Sequence, residues 1–141
     1  MAERSTKKLN RLLRVRTLQL NQVRSDEVRA RERVDQEMLL RQRIASLAAN
    51  VAPVARMDFA AALGAAAHYR DRLHQSAQAA EQRVENAERG LEVAREATRE
   101  AKKDQSAIEK LIARAEAAAA MKAMRELEQL PATTRNRHDP C

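Results

Sequence analysis

The feature that most constrains this chain is an apolar stripe in its second half. Alternating steps of four and three from Phe59 reach Leu63, Ala66, Arg70, Leu73, Ala77, Ala80, Val84, Ala87, Leu91, Ala94, Thr98, Ala101, Gln105, Ile108, Ile112, Ala115 and Ala119. With Phe59 included, fifteen of these eighteen positions are apolar. A period of about 3.5 residues belongs to an α-helix that buries one narrow face against another helix. A chain built this way has no interior to hold an active site, so its work is done by contact.

Composition agrees. The 141 residues include one Phe, one Tyr, no Trp, two Gly and three Pro, and 33% are charged. Aromatic side chains supply much of an ordinary globular core, and their scarcity here points to long helices. The net charge of +7 is unevenly placed. Residues 1–24 carry seven basic side chains against Glu3, a balance of +6, whereas residues 58–130 hold twelve basic and thirteen acidic residues. The electropositive end suits an acidic partner surface. The single cysteine, Cys141, cannot form an intrachain disulfide, although it can link two chains. No apolar run reaches the roughly 20 residues of a membrane span, and a cytoplasmic protein is expected.

A first helix is expected over about 5–50, capped by Ser5. Its stripe runs through Leu9, Leu13, Leu20, Val23, Ala30, Val34, Ile44, Ala48 and Val51, with Arg16, Glu27, Glu37 and Arg41 at the intervening seam positions. Leu12, Val15 and Leu18, and later Met38, Leu39 and Leu40, widen this stripe, either to cover the partner helix more broadly or to meet a third element. Pro53 breaks the helix. A link over 51–57 leads to Asp58, which has the character of an N-cap for a second helix over about 58–130. Residues 131–141 carry no stripe and read as a flexible tail. Short helix–helix links favour antiparallel neighbours. The expected fold is therefore all-α: a long two-helix antiparallel coiled-coil hairpin with a longer second helix, one domain over 1–141.

With a tight link, the second helix outruns the first by roughly 27 residues, or about 40 Å. That stretch, near 104–130, bears Ile108, Leu111, Ile112, Ala115, Ala119, Met121, Met124 and Leu127. A bare apolar stretch calls for cover, from a second copy of the chain or from a different protein. Glu85–Arg89, Glu92–Arg95 and Glu96–Arg99 have the spacing of helix-surface ion pairs.

No catalytic constellation is visible, and neither an enzymatic activity, a small-molecule substrate nor a cofactor is expected. There is no glycine-rich phosphate loop. His68 and His74 are six residues apart and do not share a helix face as an i, i+4 metal pair does. His138 and Cys141 stand in the tail without further ligands. The basic end invites nucleic acid, but the lack of aromatics for stacking and of a basic region leading into a parallel zipper argue against it. Residues 5–24 alternate basic and apolar side chains without a Trp or Phe to anchor them in a membrane surface.

In layout the chain resembles the flagellar export proteins of the FliJ type, small components of the bacterial flagellar type III secretion apparatus. The matching features are Met1–Lys8 leading into Leu9-Asn10-Arg11-Leu12-Leu13-Arg14-Val15-Arg16, then Gln19-Leu20, the break near Pro53, the restart at Arg56-Met57-Asp58-Phe59, and a long second helix bearing Lys102-Lys103 and Glu109-Lys110-Leu111. The resemblance spans nearly the whole chain and rests on pattern and layout. It implies a stalk-like coiled coil that inserts into a hexameric export ATPase ring. It also implies contact with that ATPase's regulator, with an export gate membrane protein and with export chaperones, at the cytoplasmic face of the inner membrane. The gate-binding surface carries over onto Leu63, Ala67, Arg70 and His74. Lys7, Lys8, Arg11, Arg14, Ile108, Leu111 and Ile112 become candidates for binding the ATPase or another partner. The equivalent protein of a virulence type III secretion system shares this layout, and a basic nucleic-acid-associated coiled coil is the alternative from another class.

Overall fold

The computed structural model describes residues 2–50 and 60–131, with side chains over 5–50 and 63–131. The expected link 51–57, Pro53, Asp58, Phe59, and the tail residues His138 and Cys141 lie outside the described residues. The fold is all-α, a two-helix hairpin whose second helix is the longer. Helix α1 covers Ala2–Asn50, 49 residues, and α2 covers Ala60–Glu128, 69 residues. At 1.5 Å per residue these are about 74 Å and about 104 Å long. No described residue has a positive φ.

Helix α1 begins at Ala2, so Ser5 lies inside it and not at its cap. Ala2, Glu3 and Arg4 are strong helix formers, and they carry the helix past the serine. At the other end, Gln129 N–H donates to the Arg125 carbonyl at 3.1 Å and Leu130 N–H to that of Leu127 at 3.2 Å. Pro131 follows, with no N–H to continue the ladder and a ring that disfavours helix at Leu130.

The chain forms two packed units: residues 18–102 make one, and residues 1–17 with 103–141 make the other. In the 18–102 unit, Val34, Ala87 and Leu91 form the core cluster, with Ala30 against it. Arg41 Nη1 donates to Glu81 Oε2 at 3.2 Å, and Arg83 Nε lies 3.4 Å from Glu37 Oε2. As positions fall along α1 from 41 to 34, their partners on α2 rise from 81 to 87 and 91, so the helices run antiparallel. The Glu37 contact is an ion pair without hydrogen-bond geometry. Its Oε2 is shielded from water and accepts no hydrogen bond.

The stripes meet as their period requires. Leu20, Val34, Ala80, Val84, Ala87, Leu91 and Ile108 are buried, and every one is a seam position. Glu27, Glu37, Arg41, Leu73, Ala77, Ala94 and Thr98 are half-buried seam positions. By contrast Leu63 and Arg70, counted in the same seam, are exposed. In the register set by Arg41–Glu81, Asn50 at the end of α1 falls opposite about residue 71. Leu63 and Arg70 therefore lie beyond the reach of α1.

The unit containing both chain ends corrects a second expectation. Arg16 Nη1 lies 3.2 Å from Asp104 Oδ2, and Gln105 Nε2 donates to Thr17 Oγ1 at 3.1 Å. Ile108 is buried at 6% exposure, and Ile112 and Ala115 are half-buried. The stretch 104–115 is thus paired with the start of α1, and the bare part of α2 is shorter than a tight-turn register implies. The register differs from the tight-turn one by about two heptads. A seven-residue repeat allows either placement of its apolar face, and the polar partners decide between them.

Candidate functional site

A surface that works by contact is made of whatever the helix pairing leaves over. The first candidate follows the beginning of α2. Leu63 is 66% exposed, and Ala67, Arg70 and His74 are exposed as well. Ala67, Arg70 and His74 line one shallow depression together with His68 and Asp71, and Leu63 is not part of it. Their spacing of three to four residues puts 67, 70, 71 and 74 on one helix face. His74 Nε2 stands 3.3 Å from Gln78 Nε2, a contact within the same helix. This face offers small, cationic and imidazole groups to a partner, with the large apolar side chains of Leu63 and Tyr69 exposed near it, the latter at 49%.

The second candidate lies in the unit of residues 1–17 and 103–141. Lys7, Lys8, Arg11 and Arg14 are all exposed on α1. Of the three α2 residues expected to grip a partner here, only Leu111 is free to do so, at 47% exposure. Ile108 is spent on the hairpin seam, and Ile112 is half-buried there. Leu12 and Val15, which widen the stripe of α1, are open to solvent at 43% and 50%. Their position off the seam by one residue was the signal that marks them as surface groups. Farther along, Met121, Met124 and Leu127 of α2 and Leu130 just beyond its end are 58%, 60%, 67% and 65% exposed.

In the other unit, the exposed large apolar residues of α1 are Leu18, Val28, Met38, Leu39, Leu40 and Leu47. Leu39 and Leu47 border a shallow depression with Gln42, Arg43, Ser46 and Asn50. The three helix-surface ion pairs read from spacing are formed, with Arg99 reaching both Glu92 and Glu96 at 2.8 Å. They occupy a solvated face.

Among the described residues, no group of three or more His, Cys, Asp or Glu is arranged to hold a metal ion. Among the same residues no helix is long and apolar enough to cross a membrane. No family model, curated protein or solved structure matches this chain.

Proposed function

We propose that the chain is a non-enzymatic coupling and assembly component of a bacterial flagellar type III export apparatus, acting on an export ATPase ring and its regulator and linking them to the membrane gate and to chaperones. The observation that carries this reading is the surplus of large apolar side chains. After α1 and α2 have met along their seam, Leu12, Val15, Leu63, Leu111, Met121, Met124 and Leu127 still face solvent. Exposed apolar side chains grouped at helical spacing, as Met121, Met124 and Leu127 are, suit a surface that binds another protein. The layout shared with the FliJ type supplies the identity of those partners. In this reading the face around Ala67, Arg70 and His74 meets the gate, and the basic face of Lys7, Lys8, Arg11 and Arg14 meets the ATPase. The protein sits peripherally at the cytoplasmic side of the inner membrane.

The test is affinity co-purification of the tagged full chain from a motile, flagellated host. Recovery of the export ATPase, and stimulation of its hydrolysis by the purified chain, are the expected results. Absence of both, with the tagged chain folded and expressed, rejects the reading. The exposed cluster of four basic residues on α1 favours one other reading, a nucleic-acid-associated coiled coil. That reading predicts a gel-shift affinity that falls steeply with salt and no effect on the ATPase.

A further inference from the structure

The unit built from residues 1–17 and 103–141 has two unlike flanks. The polar contacts at the seam tell them apart. Arg16 meets Asp104 on one flank, and Thr17 meets Gln105 on the other. Leu12 precedes Arg16 by four residues, and Leu111 follows Asp104 by seven, so each shares a helix side with its reference residue. Leu12 and Leu111 therefore border the same groove between α1 and α2. Val15 lies three residues from Leu12, and it widens the groove on the α1 side. Ala107, between Asp104 and Leu111, keeps the α2 side low.

The charges around this groove have one sign. Lys8 and Arg11 flank Leu12 and Val15 on α1, and Arg114 follows Leu111 by three residues on α2. All three are exposed and make no ion pair with any described residue. Asp104, the acid beside this groove, is neutralised by Arg16. Glu109 follows Gln105 by four residues and Glu116 follows it by eleven, and both therefore track the opposite flank.

We propose that this flank, with Leu12, Val15 and Leu111 as its apolar floor and Lys8, Arg11 and Arg114 as its rim, docks an acidic amphipathic helix of a partner protein. A helix in a groove presents apolar anchors three to four residues apart, which matches the spacing of Leu12 and Val15. Carboxylates beside those anchors reach the cationic rim, and charge of that sign sets the choice of partner and speeds the encounter. An uncharged or basic helix gains the floor and loses the rim. This inference deepens the partner-binding reading above and rests on it. Its assay contains no export component, so a negative result here leaves the co-purification result standing, and the reverse also holds.

The experiment titrates the full chain with a labelled synthetic helix about three heptads long, bearing Leu at the seam positions and Glu beside them. A second peptide has every Glu replaced by Lys. The acidic peptide is expected to bind at least about tenfold more tightly than the basic one, and its affinity should fall as salt rises. Lys8→Glu combined with Arg11→Glu should weaken it by about tenfold. Leu111→Asp should do the same, with helicity by circular dichroism unchanged, and Leu12→Ser serves as a second, milder probe of the floor. Leu47→Asp, in the other unit, should leave binding as it was. Equal binding of the two peptides overturns the proposal, as does indifference to both Leu111→Asp and Leu12→Ser. Recruitment to phosphatidylglycerol vesicles without binding of the acidic peptide also overturns it, and assigns the flank to a membrane surface.

Discussion

Ile108→Asp and Leu111→Asp put the same carboxylate on α2 three residues apart, and the pairing makes their costs very different. Ile108 is 6% exposed and Leu111 is 47% exposed. Full burial of such a side chain is worth about 1.5–3 kcal/mol. Removing Ile108 therefore forfeits about 2 kcal/mol, and a carboxylate left in the water-poor seam costs about 2 kcal/mol more. Leu111 retains only half its burial, so its loss is about 1 kcal/mol, and the new carboxylate stays hydrated with Arg114 one turn away. With a urea slope of about 2 kcal/mol/M, the unfolding midpoint should drop by about 2 M for Ile108→Asp and about 0.5 M for Leu111→Asp. Urea titration followed by circular dichroism reads both. Equal shifts, or a larger one for Leu111→Asp, refute the pairing of 104–115 with the start of α1 and restore the tight-turn register in which this stretch is bare.

The remaining predictions concern the 18–102 unit. Gly90 has ordinary helical backbone and an added Cβ meets nothing within 4 Å, so Gly90→Ala should stabilise by about 1 kcal/mol and raise the melting temperature by about 2–5 °C. Glu37→Leu removes a shielded carboxylate oxygen that accepts no hydrogen bond, and with it the ion pair to Arg83; Arg83 is half-exposed and stays hydrated, so thermal melting should show a change of no more than about 1 kcal/mol. Arg41→Glu and Glu81→Arg should each cost about 0.5 kcal/mol, and the double exchange should recover most of that in a double-mutant cycle, as a partly exposed ion pair does.

Which residues face inward was legible from spacing. The seam through Leu20, Val34, Ala80, Val84, Ala87, Leu91 and Ile108 is the buried set, because a 3.5-residue period admits one inward face per helix. Which residues face one another was not legible from the apolar pattern. Sliding α2 by a heptad exchanges one apolar layer for another of nearly the same volume, and eight of its eighteen seam positions are alanine. The choice is made by Glu37 with Arg83, Arg41 with Glu81, Arg16 with Asp104 and Thr17 with Gln105. A slip of seven residues in either direction brings Glu37 to Ser76 or Gly90 and Thr17 to Thr98 or Ile112, and the matched set is lost. Those pairs were present in the sequence and carry the signal, but assuming a short turn concealed it. For the candidate surface the same assumption assigned Ile108 to a partner, while the widened stripe left Leu12 and Val15 divided between covering the partner helix and meeting a third element.

Ala80 and Ala87 stand at the centre of the 18–102 seam, and Ala80 is wholly enclosed. A methyl group looks the same from every rotamer, so closing these layers requires no side chain to select a conformation. Leucine layers mesh like gear teeth and must disengage before they shift. Alanine layers present a smoother track, on which Leu20, Val34, Val84 and Leu91 act as the detents. Axial load along this pair would be borne at those catches and at the ionic pairs beside them, while the methyl layers between them offer the least resistance.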